Sequence, residues 1–236
     1  MKRKGIIYPF LSECRSLLKY HRLAVARNGA ILRSMTKTKS IFFHVPKTGG
    51  KSILEALYGI ELHEGFGHAG VEFYLSVFGR EKFDKFYKFA FVRNPWDRVY
   101  SGYKFAINHG FGFHQDCKLE NEIGTLSFEC FVKDWLQYCD LNMWTIFRPQ
   151  HSFVCDAEGV MILDRVCYFE DINEEYNYLS NLFDIDVDIS HVNKSTGYTS
   201  YKDVYDKEMR MIIEKLYHKD INMFGYIFNG RIQDNK

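Results

Sequence analysis

Two short segments about fifty residues apart constrain this chain more than any other feature. The first runs Ile41-Phe42-Phe43-His44-Val45-Pro46-Lys47-Thr48-Gly49-Gly50-Lys51-Ser52. The second runs Phe89-Ala90-Phe91-Val92-Arg93-Asn94-Pro95-Trp96-Asp97-Arg98-Val99-Tyr100-Ser101-Gly102-Tyr103. Each passes from an apolar, strand-like stretch through a turn of basic, hydroxyl and glycine residues into a helical pattern. Such a turn can gather bare backbone N–H groups, a helix N-terminus and a cation around one anion. Two of them imply a ligand with two separate anionic ends.

The rest of the chain repeats the alternation of strand and helix. A buried strand is expected over Ser40–Val45, a loop over Pro46–Gly50 and a helix from about Lys51 to Tyr58. Gly59 to Gly70 reads as a loop, Val71 to Phe78 as a helix that Gly79 closes, and Phe86 to Val92 as the second strand. Arg93 to Trp96 is its turn and Asp97 to Asn108 the next helix. His109 to Gly124 is polar and glycine-punctuated, the composition of a lid or substrate-binding segment. Leu126 to Tyr138 is again helical in period. Phe153–Val154 and Val160–Leu163 read as a hairpin across Asp156–Gly159. Arg165 to Phe169 reads as a core strand, Glu174–Phe183 as a helix and Asp203–Tyr217 as a long amphipathic helix. This order predicts an α/β, P-loop-like three-layer fold, with a central, mainly parallel sheet flanked by helices.

At 236 residues, 46% of them apolar and with 21 Phe and 16 Tyr, the chain can bury a substantial core. The formal charge of +1 hides an asymmetry. Residues 1–40 hold ten lysines and arginines against one acid, Glu13, a net of +9, so the remainder sums to −8. We therefore divide the chain into a basic, helical N-terminal arm (1–39) and a main domain (40–236). The arm can contact anionic glycan or a membrane surface; a terminal helix packed on the domain explains the same charges equally well. No stretch approaches the roughly 20 apolar residues of a membrane span, and Gly5–Leu11 is too short for a signal core. The expectation is a cytoplasmic protein, peripheral to the membrane at most, with no nucleic-acid partner. The six cysteines (14, 117, 130, 139, 155 and 167) show no metal-ligand rhythm. His63 and His68 stand one residue too far apart for H-E-x-x-H, with two glycines between them, so no metal is expected.

The two turns resemble the signatures of sulfotransferases that use 3′-phosphoadenosine-5′-phosphosulfate (PAPS), above all the branch acting on carbohydrate hydroxyls. That family reads roughly Pro-Lys-Thr-Gly-Gly-Thr-Ser after a strand, matched here by Pro46–Ser52, and then Arg-Asn-Pro-x-x-Arg-x-x-Ser, matched by Arg93–Ser101. The likeness continues through Tyr168-Phe169-Glu170, His191-Val192-Asn193-Lys194-Ser195 and Asp220–Tyr226. It departs at Lys51, where the family carries threonine or serine. Gly50-Lys51-Ser52 is also the back half of a nucleoside-triphosphatase P-loop, but the opening glycine of that motif would fall on Val45. Lys51 is then an additional cation near the phosphosulfate or a side chain turned to solvent.

The resemblance implies sulfuryl transfer from PAPS to a hydroxyl of a polysaccharide, glycolipid or oligosaccharide, without a metal. It assigns Lys47 to the leaving group, and the backbone and hydroxyls of Thr48, Gly49, Gly50, Lys51 and Ser52 to the 5′-phosphosulfate. Arg93 and Ser101 fall to the 3′-phosphate, and Asn193, Lys194 and Ser195 to a loop closing over the nucleotide. It also places a histidine between the two signatures as general base, which selects His68, with His63, Glu64, His114 and Asp116 as alternatives. His44 reads as structural, Asp97 and Arg98 as helix-start contacts, and Trp96 as packing or as a stacking partner for adenine. Two other readings stay open on the sequence alone. One is a kinase or nucleotidase using ATP–Mg²⁺; the other is a non-catalytic glycan- or nucleotide-binding protein.

Overall fold

Three apolar runs pair side by side as a parallel sheet, β1 (Ser40–Phe43), β2 (Tyr87–Val92) and β3 (Arg165–Tyr168), in that spatial order. The structure, a computed structural model, describes residues 29–59, 68–109, 123–185 and 200–235. Strands buried on both faces read as continuous rather than alternating hydrophobic runs. All of β1, and every residue of β2 after Tyr87, is indeed buried. Phe43 pairs with Ala90 and Val92 with Tyr168. Because the strands are parallel, the chain leaves all three at one edge, where crevices for ligands form in such sheets.

Helices fill the crossovers. Helix α1 (Gly29–Thr38) precedes β1 and buries Ile31, Leu32 and Met35, so the end of the basic arm belongs to the core around the sheet. Helix α2 (Gly50–Tyr58) and helix α3 (Val71–Lys85) link β1 to β2. Gly79 breaks α3 with φ 72°, a left-handed conformation that favours glycine, and a further helical turn follows it before β2. Helix α4 (Pro95–His109) starts two residues before the expected Asp97, with proline at its first position, where the missing N–H costs no helical bond.

The segment 128–138 is helical as its period indicates, but not uniformly α. Phe131–Trp135 forms a π-turn between α and 3₁₀ pieces. The expected hairpin at 153–163 is corrected by the structure. His151–Val154 is a short helix, α5, and the sequence's turn survives as the Asp156–Gly159 bend with a single bridge between Cys155 and Met161. A brief apolar run does not distinguish strand from helix, and here the tertiary setting chose helix. After β3 come α6 (Ile172–Phe183), α7 (Lys207–Leu216), α8 (His218–Phe224) and a small antiparallel pair, β4 (Tyr226–Ile227) with β5 (Gly230–Arg231). The loop segment 110–122 and the family-like segment His191–Ser195 lie outside the described residues.

Two apolar clusters result. One surrounds the sheet, where Phe42 stacks on Phe89 at 5.2 Å and meets Phe91 edge-on at 6.3 Å. The other joins α4, the 128–138 segment and α7 through Trp96, Tyr103, Phe131, Phe147 and Ile213. Trp96 belongs to this second core, its indole N–H donating to the Arg210 carbonyl at 3.1 Å. Gly102 lets α4 approach that core closely, since a Cβ there would stand 2.8 Å from Phe147 Cε1. Alanine in a helix interior normally gains up to about 1 kcal/mol over glycine. Phe147 is fully buried and packed against Phe131, so moving it aside would disturb the second core. Gly102→Ala is therefore expected to destabilise by about 1–3 kcal/mol, read by urea denaturation. A more stable variant would show that Phe147 has room to shift.

Candidate active site

The parallel register brings the two signature turns together. With Phe43 opposite Ala90, continuing both strands sets Pro46 beside Arg93. The Arg93 guanidinium donates through Nη1 to the Lys47 carbonyl at 3.1 Å and through Nε to Asp97 Oδ2 at 2.8 Å. Its flat face lies over Phe169, 4.2 Å from the ring centroid. Charge, fork geometry and stacking thus fix one buried arginine between three elements, the use for which guanidinium is suited. Asp97, Ser101 and Phe105 are spaced four apart and share one stripe of α4. Asp97 meets Arg93 and Phe105 lies under the Lys47 ammonium at 4.2 Å, so Ser101, half-buried between them, faces the same cluster.

Lys47 has φ 67°, rare for a residue with a side chain and typical of sites where surrounding contacts hold the backbone against strain. Burial, then the charges of Arg93 and Lys51, lower its pKa to about 8. Among the described residues no carboxylate lies within ion-pair distance of it. Thr48 is buried and turns its hydroxyl back to the Val45 carbonyl at 2.9 Å, bracing the loop from inside. Gly49, at φ 78°, caps α2 without a side-chain hydrogen bond, and the first turn of α2 holds no acid. Helix dipole and uncapped N–H groups there favour an anion. Lys51 is exposed and Ser52 half-buried on that first turn. A Cβ on Gly49 would press on Ile172 at 3.1 Å and Phe169 at 3.2 Å, so the loop rests on the end of β3 and the start of α6.

Two imidazoles flank the other side of the loop. The His44 ring sits where a Cβ on Gly50 would be, 2.0 Å from that point at Cδ2, and the His68 ring lies 4.4 Å from it. His68 Nδ1 is 2.9 Å from the His44 carbonyl. A carbonyl only accepts, so Nδ1 carries the proton and the Nε2 lone pair is left as the basic site. Burial lowers the His68 pKa to about 4; the bond to the His44 carbonyl opposes this, and Arg148 and Arg98 add to it. Burial, His68 and Lys51 likewise hold His44 well below its ordinary value. His44, which the sequence reading set aside as structural, thus packs between α2 and His68.

Around the second turn, Asn94 donates its backbone N–H to Glu170 Oε1 at 2.7 Å and its side-chain amide to the Ile227 carbonyl at 2.9 Å. Its Oδ1 accepts from Trp96 N–H at 3.1 Å, which caps α4. Arg98 is buried and donates to the Ile146 and Arg148 carbonyls at 3.1 and 2.7 Å. Of the predicted residues, the structure gathers Lys47 to Ser52, His68, Arg93 and Ser101 into one region. Asn193, Lys194, Ser195, His63, Glu64, His114 and Asp116 lie outside the described residues. Phe105 and Gln150 were missed: the stripe spacing from Asp97 could have suggested the first, and nothing local marks the second. No group able to hold a metal ion occurs among the described residues.

With this geometry in view, comparison with known proteins adds a family. Residues 34–227 match the sulfotransferase family. The chain belongs to that family. Comparisons with curated proteins and with solved structures gave no match. The family's activity is sulfuryl transfer. None of the described helices is long and apolar enough to cross a membrane.

The histidines give a pH signature. Unfolded, His68 titrates near its ordinary value of about 6.5; folded, it titrates at about 4. Between those values the unfolded chain binds the extra proton, so stability present above pH 6.5 is lost as pH falls toward 4. Through His68 alone the slope reaches about 1.4 kcal/mol per pH unit. His68→Gln is expected to flatten the fall in stability between pH 6.5 and 4.5, measured by urea denaturation; an unchanged slope would mean His68 is not held neutral by burial.

Proposed function

We propose that this sulfotransferase moves a sulfuryl group from PAPS to a hydroxyl of a carbohydrate, with His68 as general base. The observation that carries the donor assignment is the junction of Lys47 and Arg93. Two cations from separate turns, Arg93 buried and Lys47 half-buried, are brought together by a 3.1 Å hydrogen bond from the Arg93 guanidinium to the Lys47 backbone carbonyl, beside the start of α2. Burial, and after it the charges of Arg93 and Lys51, lower the Lys47 pKa to about 8, a cost that a bound anion would offset. The residues present therefore fit a polyanionic nucleotide. When bound, PAPS supplies an activated sulfuryl group on a phosphate leaving group.

In this reading Lys47 and the N–H groups of residues 48–52 hold the phosphosulfate end, and Lys47 offsets charge arriving on the departing phosphate. Arg93 and Ser101 hold the 3′-phosphate, while Asp97 keeps the Arg93 fork oriented. Asn193, Lys194 and Ser195 are assigned, on the family pattern, to closing over the nucleotide. Positioning and fixed charge supply most of the acceleration, as in phosphoryl transfer. His68 Nε2 takes the acceptor proton; an anion bound beside α2 raises its pKa toward neutrality, where a base works best. The carbohydrate acceptor rests on the likeness of the two signatures to that branch. The basic arm is assigned to an anionic glycan or membrane surface, consistent with a cytoplasmic enzyme of glycan synthesis.

Calorimetric titration with adenosine 3′,5′-bisphosphate, against ATP–Mg²⁺, tests the donor site. Tight, Mg²⁺-independent binding of the bisphosphate is expected, weakening as pH rises through about 8 because Lys47 loses its proton there. Preference for ATP–Mg²⁺ would overturn the reading. Arg93→Ala should weaken bisphosphate binding by about 10- to 100-fold, the loss of a charged hydrogen bond. His68→Ala should lower kcat by about 10²- to 10⁴-fold with donor affinity little changed; full turnover would move the base to another residue.

A further inference from the structure

Arg93 stands between the last paired residue of β2 and the first residue of α4, and Gln150 bonds both of its peptide groups. Its Oε1 accepts from Arg93 N–H at 2.9 Å, and its Nε2 donates to the Arg93 carbonyl at 2.9 Å. The glutamine is itself fully buried and held in turn. Its backbone N–H donates to Asp220 Oδ2 at 2.7 Å, and that of His151 donates to Oδ1 at 2.9 Å. His151 Nδ1 also lies 2.6 Å from Oδ1. Asp220, fully buried on α8, thus terminates three donors from one short stretch. From the other side Arg98 bonds the Ile146 and Arg148 carbonyls, and the Tyr217 hydroxyl donates to the Phe147 carbonyl at 2.6 Å. Buried side chains from α4, α7's end and α8 therefore fix the backbone of 146–151, and one amide passes that rigidity to Arg93.

We infer that Gln150 is a positioning residue of the donor site, setting the peptide of Arg93 and through it the aim of the guanidinium. The inference rests on the reading of Arg93 as the 3′-phosphate ligand. Gln150 touches no substrate; it acts by denying the Arg93 peptide other orientations. A misplacement on the order of 1 Å at such a group can cost about a hundredfold. A residue with a merely structural role would weaken every ligand alike. One that aims Arg93 should affect only ligands bearing a 3′-phosphate.

The test compares adenosine 3′,5′-bisphosphate with adenosine 5′-monophosphate, by calorimetry, on the full chain, Arg93→Ala, Gln150→Ala and the double variant. The wild type is expected to prefer the bisphosphate, and Arg93→Ala to lose most of that preference. Gln150→Ala should cut the ratio of the two affinities by about fivefold or more, the equivalent of one hydrogen bond, with monophosphate affinity nearly unchanged. Adding it to Arg93→Ala should change the ratio no further. Equal weakening of both ligands by Gln150→Ala, with the ratio intact, would overturn the inference while leaving the donor-site reading in place. A wild type without preference, or an Arg93→Ala variant that keeps it, would overturn that reading and the inference with it. Should near-ultraviolet circular dichroism show Gln150→Ala unfolded, Gln150→Met fills the same volume without either hydrogen bond and is judged by the same ratio.

Discussion

Everything at this site depends on a guanidinium that bonds a carbonyl of the neighbouring loop. Parallel pairing delivers two turns to the same edge of the sheet, but it leaves their spacing loose. The Arg93–Lys47 bond closes that freedom, with Asp97 orienting the fork from below and Phe169 flattening it from the side. A single planar cation thus serves as hinge pin between β1 and β2 loops and as part of the charge that the loops present. Lysine could do the second task but not the first, because an ammonium has no plane to stack and no rigid fork to hold two bonds in fixed directions.

The charge on Lys47 is built up rather than cancelled, whereas Arg93 is ion-paired with Asp97. Lys47 lies over an aromatic face instead of a carboxylate, and its neighbours are Arg93 and Lys51. The acids nearby serve other ends: Asp97 orients Arg93, and Glu170 accepts from the Asn94 peptide and the Tyr226 hydroxyl. Lys51, where the family pattern has a hydroxyl, adds to the field from the exposed first turn of α2 without entering the buried cluster. The chain can therefore hold P-loop-like residues at 50–52 while lacking the opening turn. Thr48 spends its hydroxyl on the Val45 carbonyl, in a turn that a P-loop would open with glycine.

Much of this was legible in the residues. Largely apolar runs marked the three parallel strands, though only Cys167 of β3 is buried, and the order of turn chemistry after two of them marked the anion site, because both are properties of local sequence. What escaped depended on distant partners. The Phe153–Val154 run was read as strand because two residues carry no period; the helix they end has its start held by Asp220, some seventy positions away, which bonds the Gln150 and His151 peptides. Gln150 itself is an ordinary glutamine until the fold places the Arg93 peptide against it. The left-handed backbone of Lys47 is likewise invisible in sequence, since lysine gives no sign of φ 67°. His44 looked structural as a strand residue ahead of the loop, and only the fold shows that its carbonyl and ring meet His68.

The fit between His44 and Gly50 has a consequence for how this loop can change over generations. Gly50 does not adopt a left-handed conformation, so its need for a bare Cα comes from the space beside it, where the nearest atoms are those of the His44 imidazole. A side chain at 50 is thus forbidden while a large ring stands at 44. The two positions form one heritable unit: a small residue at 44 would release 50 and, in the same step, remove the ring on which His68 rests.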